Sequence, residues 1–258
     1  MAYVIAVANQ KGGVGKTTTA VSLGACLAEL GKFVLLIDMD PQANATIGLG
    51  IDGESVTQSM YEVLLGTAQF RDIIRDTAHV GYRVAPASPA LAGATVDLVP
   101  LADRERRFAD ALLEIRNDYD FILIDCPPSL GLLTVNAFVG ADAILIPVQA
   151  EYYALEGLGQ LMRTIELIRE NLKPNLEVLG AVITMFDSRY RLSKDVMEEL
   201  YRYFPNRVFR SVVPRNVRLA EAPSHGKTIL AYDADSRGAR AYERLAREVL
   251  ETLTQRLI

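Results

Sequence analysis

The stretch that decides the fold is NQKGGVGKTTT, residues 9–19. It follows an apolar, β-branched run at Tyr3–Ala8 and leads into a helical pattern. The phosphate-binding pattern G-x-x-x-x-G-K-[ST] ends here at Gly15–Thr17, but Gln10 stands where the first glycine belongs and Lys11 follows it. We predict a strand–loop–helix unit that binds phosphate and carries one additional positive charge.

Three glycines suit this loop to an anion. Gly12, Gly13 and Gly15 allow backbone N–H groups to turn toward a phosphate without a Cβ in the way, and the helix start adds partial positive charge. In such a loop Lys16 contacts the β- and γ-phosphates, and the Thr17 hydroxyl ligates Mg²⁺. Chance occurrence of this whole constellation directly after a strand is improbable, so phosphate binding is favoured over a structural glycine turn.

Two further apolar runs end in carboxylates. FILIDCPP, residues 121–128, carries Asp125, and VLLIDMDPQANAT, residues 34–46, carries Asp38 and Asp40. Ligands of open α/β sheets bind at the carboxyl ends of the strands, so all three side chains are expected near the phosphates. We predict that Asp125 holds Mg²⁺ through water and that one of the other two orients the attacking water.

Apolar runs alternate with helical patterns, which indicates a mostly parallel, twisted sheet with helices on both faces. The predicted strands are Tyr3–Ala8, Phe33–Asp38, Tyr82–Ala85, Phe121–Asp125, Ala143–Val148, Val178–Thr184 and Val208–Val213. The clearest helical patterns are Thr17–Leu30, Asp103–Ile115, Leu155–Asn171 and Asp195–Tyr203. The least regular part, Pro41–Gly66, is interpreted as a functional loop region. Because no linker or repeat interrupts the pattern, we predict a single α/β domain over residues 1–258.

Composition narrows the class of protein. The chain has 258 residues, of which 50% are hydrophobic and 23% charged, and it contains two cysteines. No run of about 18 apolar residues occurs, so no membrane-spanning helix is predicted. Two cysteines are too few for a disulfide framework, and the start of the chain lacks a secretory signal pattern. Both features favour a reducing cytoplasm.

Positive charge is concentrated toward the carboxyl end. Residues 186–258 carry a net charge of +4 and residues 1–185 a net charge of −9, within a total of −5. Charge counts alone are explained by an ordinary solvated surface. The more specific interpretation is that the protein has a basic face on an otherwise acidic body. Eight basic and three acidic residues lie between Arg189 and Arg218. No base-reading motif accompanies them, so nucleic acid would be bound through phosphates, without sequence preference.

The last predicted helix, Arg237–Ile258, has an apolar stripe that predicts packing on the core. The stripe consists of Tyr242, Leu245, Val249, Leu253 and Leu257. A membrane-surface helix would need Phe or Trp on the apolar side and a cationic polar side, and neither is present.

Six motifs, in order, resemble the ParA/Soj chromosome- and plasmid-partitioning ATPases, which belong to the deviant-Walker-A class that also contains MinD. The motifs are KGGVGKTT, DMDPQANAT, FILIDCPP, PVQAEYYALEGL, TMFDSR and VPRNVRLAEAPSHGK, and they span nearly the whole chain. Two residues depart from the family pattern. Ala43 stands where a glycine is usual and Ile47 where a small polar residue is common, and both could alter hydrolysis or the ordering of this loop.

The resemblance implies an ATP- and Mg²⁺-dependent ATPase that alternates between a monomer and a homodimer with two ATP molecules between its subunits. It assigns Lys11 to the partner's nucleotide, where its charge would neutralise the transferring phosphoryl group. Asp40 matches the residue that positions or activates the hydrolytic water, and Pro214 and Asn216 match positions that contact adenine. The implied catalytic residues are Lys11, Lys16 and Asp40. The implied ATP-binding residues are Lys11, Gly12, Gly13, Val14, Gly15, Lys16, Thr17, Thr18, Pro214 and Asn216, with Thr17 and Asp125 at the metal.

The resemblance also bears on three residues near these motifs. Asp38 matches an acidic switch residue close to Asp40. For Met185 and Phe186 core packing is expected rather than contact with adenine.

The resemblance also implies that the ATP dimer binds double-stranded DNA nonspecifically on the nucleoid, through Arg189 and Arg218. Weaker candidates for DNA contact are Lys194, Arg215, Lys227 and Arg247. A ParB/Spo0J-type centromere-binding protein is the implied partner that stimulates slow hydrolysis. A MinD-like membrane-associated ATPase for division-site placement is the alternative, and the last helix argues against it. A P-loop biosynthetic enzyme would need a second polar pocket, for which no motif is found.

Overall fold

A computed structural model of the chain describes residues 1–151 and 154–256. Seven strands form one sheet with the order β3-β4-β2-β5-β1-β6-β7, and every pairing is parallel except that of β3 with β4. The strands are β1 Tyr3–Val7, β2 Val34–Asp38, β3 Arg75–Asp76, β4 Tyr82–Ala85, β5 Phe121–Asp125, β6 Ala143–Gln149 and β7 Glu177–Thr184. The predicted α/β class is confirmed, and six predicted strands are present within one or two residues. The short edge strand β3 was not predicted.

Helices connect and cover the strands. They are α1 Lys16–Glu29, α2 Asn44–Gly48, α3 Met60–Leu65, α4 Phe70–Ile73, α5 Leu91–Asp97, α6 Arg107–Leu112, α7 Leu132–Gly140, α8 Ala154–Asn171, α9 Arg191–Tyr203, α10 Val217–Glu221, α11 Ile229–Asp233 and α12 Arg237–Arg256. Within the described residues, no helix is both long enough and apolar enough to cross a bilayer.

The apolar core lies on both faces of the sheet, because successive strand residues point to opposite sides. Val4 and Ala6 of β1 join one buried cluster, and Ile5 and Val7 join the other. Helices α1 and α12 contribute to the cluster of Ile5 and Val7, whereas α3 to α9 contribute to the opposite cluster. This arrangement confirms the predicted helices on both faces.

The apolar stripe of α12 packs on the core as predicted. Tyr242, Leu245 and Val249 are buried and Leu253 is partly buried. Leu257 lies outside the described residues, as do Tyr152 and Tyr153 of the motif PVQAEYYALEGL.

Strand register places the carboxylates together. Asp125 at the end of β5 pairs with Val7 at the end of β1 on one side and with Asp38 at the end of β2 on the other. The loop that follows β1 therefore begins beside Asp125, with Asp38 one strand further away, as expected for the carboxyl edge of a parallel sheet.

The prediction of a strand at Val208–Val213 is wrong. Single bridges join Ala181 to Val208 and Phe186 to Pro214, but the backbone between them does not continue the ladder. The N–H groups of Arg210 and Ser211 donate instead to the two carboxylate oxygens of Glu248, at 2.6 and 2.9 Å. The Glu248 side chain of α12 thus accepts hydrogen bonds from backbone N–H groups that would otherwise be available to pair with a neighbouring strand.

The helix predicted over Asp103–Ile115 is shorter, and α6 begins at Arg107. The side chain of Asn136 in α7 donates to Arg104 O at 2.8 Å and accepts from Phe108 N at 3.0 Å. Arg104 O and Phe108 N therefore have a hydrogen-bond partner outside the helix, and the residues before Arg107 form turns.

The segment Pro41–Gly66 is more regular than expected. It contains α2, the short 3₁₀ helix Gly53–Ser55 and α3. Ser59 and Glu62 form a capping box at the start of α3, which fixes that helix without a long apolar pattern.

Candidate nucleotide-binding site

The loop between β1 and α1 has the backbone that its glycines predicted. Gly13 and Gly15 have φ angles of +74° and +87°, in the left-handed region that favours glycine. Gly15 lies directly before the 14-residue helix α1, whose first turn contains no acidic residue. The loop and the helix start therefore offer backbone N–H groups and partial positive charge to an anion.

Contacts from β6 and β7 hold this loop in place. The Asn9 amide donates to Pro147 O at 2.7 Å and accepts from Lys11 N at 3.0 Å. The Thr184 hydroxyl donates to Val14 O at 2.7 Å. The loop is thus fixed before any ligand arrives, which lowers the entropy lost on binding.

The two lysines of the loop have different environments. Lys16 is only 7% exposed, and its ammonium donates to Lys11 O at 3.1 Å. Burial lowers the pKa of Lys16, and the negative charge of Asp125 opposes that shift. The Lys11 ammonium instead forms an ion pair with Glu151 at 3.0 Å, and Glu151 also accepts from the Gln149 amide at 2.5 Å.

Asp125 is completely buried. Among the described residues, neither of its carboxylate oxygens has a hydrogen-bond partner of ordinary geometry. Burial and the charge of Asp38 raise the pKa of Asp125, whereas the Thr17 hydroxyl and Lys16 lower it. A buried carboxylate with unused oxygens beside a threonine hydroxyl fits a hydrated Mg²⁺ ion, which prefers oxygen ligands and retains water.

Asp38 is equally buried, but both of its carboxylate oxygens accept hydrogen bonds from the protein. Its two oxygens accept hydrogen bonds from Asp40 N at 3.1 Å and from the Thr46 hydroxyl at 2.7 Å and Thr46 N at 2.9 Å. Burial raises the pKa of Asp38 to about 6, and the hydrogen bonds from Thr46 act against that rise. Asp40 is the more exposed of the two, and one of its oxygens accepts from Gln42 N.

A cavity of about 230 Å³ lies beside the loop, and it is lined by Gly15 and Thr18 together with Met185, Pro214 and Asn216. The structure therefore brings both predicted adenine residues next to the phosphate loop. The expectation of core packing is wrong for Met185, whose side chain lines this cavity at a backbone φ of +51°. Phe186 packs against the core as expected.

The predicted DNA-binding residues fall into two groups. Arg189 pairs with Asp187 at 2.6 Å, and Arg218 pairs with Glu221 at 2.9 Å and Asp233 at 3.3 Å. The second group is exposed and, within the described part of the chain, forms no ion pair within 4 Å. It consists of Lys194, Arg215, Lys227 and Arg247.

Several residues of the site were not found from the sequence. Glu151 lies in a quoted motif, yet no pattern pointed to an ion pair with Lys11. Thr46 and Thr184 act through hydrogen bonds to distant parts of the chain, and threonine in an α/β protein carries no local signal for such contacts.

A mostly parallel sheet in which β1 leads into this loop, with buried carboxylates at the ends of β5 and β2, defines a P-loop nucleotide-binding protein. The AAA domain family model matches residues 2–178. The chain is 54% identical over 249 residues to the sporulation initiation inhibitor protein Soj of Bacillus subtilis, covering 96% of this chain and 98% of that protein. It is 50% identical to the chromosome partitioning protein ParA of Myxococcus xanthus, covering 96% and 88%. The chain belongs to the ParA/Soj family of partitioning ATPases.

A solved structure has the same fold over nearly the whole chain. Cobyrinic acid a,c-diamide synthase from Mycobacterium smegmatis, with bound ADP and magnesium, superposes with a TM-score of 0.87 at 38% identity, covering 98% of this chain and 96% of that one. The same protein is also known with a bound ATP analogue and magnesium.

Proposed function

We propose that this chain is an ATP-dependent switch for DNA segregation, and that residues 1–258 act as one ATPase domain. In the ATP state two copies form a dimer that binds double-stranded DNA on the nucleoid without sequence preference. A ParB/Spo0J-type protein stimulates hydrolysis, and the dimer then leaves the DNA. Identity of about 50% to the Soj and ParA relatives supports the partitioning role.

The residues of the loop bind ATP and Mg²⁺ in this proposal. Lys16 and the start of α1 neutralise the β- and γ-phosphates. The Thr17 hydroxyl ligates the metal and Asp125 holds it through water, while Pro214 and Asn216 contact adenine. When bound, the metal would neutralise negative charge on the phosphate groups.

Asp40 orients the attacking water. It lies two residues after β2, is less completely buried than Asp38, and accepts a hydrogen bond from Gln42 N through one of its two oxygens. We expect hydrolysis without the partner protein to be slow, because a slow step gives the ATP state time to bind DNA.

The ion pair of Lys11 carries the proposal of a dimer. The Lys11 ammonium contacts Glu151 and forms no hydrogen bond within its own loop. The Lys11 side chain is half-buried. Hydrogen bonds between an ammonium and an anion are stronger than neutral ones, so a phosphate would stabilise this ammonium strongly. We infer that it exchanges Glu151 for the phosphates bound by the second subunit, so that dimerisation requires nucleotide.

Light scattering with a non-hydrolysable ATP analogue tests this function. The wild-type chain is expected to dimerise with the analogue and stay monomeric with ADP, whereas Lys11→Ala stays monomeric in both while still binding the analogue. Arg240→Ala, which removes an exposed cation paired with Asp235, is the matched control and should dimerise normally. A dimer of Lys11→Ala with unchanged affinity would refute the contact between subunits.

Co-sedimentation separates the proposed function from its alternatives. Pelleting with DNA in ATP, and not with liposomes, supports the partitioning switch, whereas pelleting with anionic liposomes alone would support a MinD-like role. The Mycobacterium smegmatis neighbour raises a synthase role, but identity to that chain is 38% against 54% to Soj. ATP turnover that required a small-molecule substrate would support that role instead.

A further inference from the structure

Thr46, in the first turn of α2, is fully buried and bridges three segments of the site. Its hydroxyl donates to Asp38 Oδ2 at 2.7 Å, and its backbone N–H donates to the same oxygen at 2.9 Å. The hydroxyl also accepts from Ala87 N, after β4, at 3.0 Å. Among side chains of this size, only a hydroxyl donates and accepts through the same atom, so serine is the one close replacement.

The other oxygen of Asp38 fixes the backbone at Asp40. Asp38 Oδ1 accepts from Asp40 N at 3.1 Å. The segment from Asp40 to Thr46 is therefore attached at both ends to one carboxylate. Between these ends the chain is held by the hydrogen bond from Ala43 N to Asp40 O at 2.9 Å. This closed arrangement fixes the backbone from which the Asp40 side chain projects, and one oxygen of that side chain accepts from Gln42 N at 3.0 Å.

We propose that Asp38 and Thr46 form a positioning pair that sets the orientation of Asp40 toward the attacking water. The inference rests on the proposed function, in which Asp40 orients that water. It assigns Asp38 a role different from that of Asp125 despite equal burial, because both oxygens of Asp38 are occupied by protein donors and those of Asp125 are not.

The geometry predicts a loss of turnover without a loss of nucleotide affinity. The pair does not belong to the predicted phosphate loop or adenine cavity, so ATP should still bind. A small displacement of a water-positioning carboxylate lowers the chemical rate strongly. A purely structural threonine would lower thermal stability and change turnover only in proportion to the unfolded fraction.

Thr46→Val and Thr46→Ser test the proposal through kcat, KM for ATP and the Kd of an ATP analogue. Thr46→Val is expected to lower kcat about tenfold or more, with the Kd changed less than about twofold, and Thr46→Ser to restore most of kcat. Thr77→Val is the matched control, because the Thr77 hydroxyl also donates, to Tyr82 O, and accepts, from His79 N, at the opposite edge of the sheet. It should leave kcat unchanged.

A second variant keeps the test decisive if Thr46→Val does not fold. Asp38→Asn replaces one acceptor by a donor facing Asp40 N or Thr46, and the same split between kcat and Kd is expected. In an Asp40→Ala background neither change should lower kcat further, since the pair acts through Asp40. Wild-type-like kcat in both variants, or additive losses with Asp40→Ala, would overturn the proposal. Absence of ATP turnover in the wild-type chain would instead refute the proposed function itself.

Discussion

At the scale of single residues, Ala43 is the clearest departure from the family pattern. Its φ angle is +53°, in the left-handed region, although it carries a Cβ. It lies directly before α2, and its N–H closes the turn to Asp40 O. A glycine is usual at this position in ParA/Soj proteins because it takes this conformation without steric cost. The chain thus holds a strained residue three positions after its proposed water-positioning carboxylate.

Ala43→Gly is expected to raise the free energy of unfolding by up to about 1 kcal/mol, because relief of the left-handed strain exceeds the added entropy of the unfolded chain. Ala45→Gly, two residues later inside α2, should lower it by about 1 kcal/mol. Urea denaturation of both variants measures the difference. Equal destabilisation by the two changes would contradict the strain at Ala43.

At the scale of elements, the strand predictions were most accurate where the sequence contains a clear apolar run, such as the runs that end in Asp38 and Asp125. Strands β4 and β5 match the prediction residue for residue. Strand β5 is a continuous apolar run, as is typical of a strand buried on both faces of a parallel sheet, whereas β4 includes the exposed Arg83. The phosphate loop, Asp125 and Asp38 followed from their places after such runs.

Elements fixed by distant side chains could not be predicted. Val208–Val213 has the composition of a strand, but Glu248 on α12 takes two of its N–H groups. Likewise, Asn136 determines where α6 begins. The ion pair of Lys11 with Glu151 and the hydrogen bond from Ala87 N to the Thr46 hydroxyl belong to the same category, because the partners are 140 and 41 residues apart in sequence.

Glu248→Ala tests the contribution of this anchor. Removing the carboxylate leaves Arg210 N and Ser211 N without their acceptor, so a loss of about 1–3 kcal/mol in the free energy of unfolding is expected. Glu251 is the matched control, because it also pairs with Arg210 but is 63% exposed. Glu251→Ala should change the free energy of unfolding by less than about 0.5 kcal/mol in the same urea titration. Similar losses in both variants would show that the backbone hydrogen bonds of Glu248 do not matter.

At the scale of the whole molecule, the basic carboxyl-terminal part of the chain is partly self-neutralised. The two arginines that the family resemblance favours for DNA contact form ion pairs with carboxylates. The four other candidates form none within 4 Å in the described part of the chain, although Arg215 acts electrostatically on Asp187. Arg189 lowers the pKa of Asp187 to about 2, against an ordinary value of 3.8. Asp187 is therefore negatively charged throughout the neutral range, and it opposes the approach of a phosphate to Arg189.

Asp187→Asn is accordingly expected to strengthen DNA binding by the ATP dimer. The change frees one cation per subunit, so the Kd for nonspecific duplex should fall about three- to tenfold at low salt, and the slope of log K against log salt should steepen by up to about 0.9 for each additional phosphate that the dimer neutralises. Asp76→Asn is the matched control, since Asp76 also pairs with an arginine, Arg83, but lies on the edge strand β3, at the opposite side of the sheet from β7. Fluorescence anisotropy over a salt series measures both variants. If the two changes strengthened binding equally, net charge alone would govern DNA affinity; a stronger affinity confined to Asp187→Asn places the DNA beside Arg189.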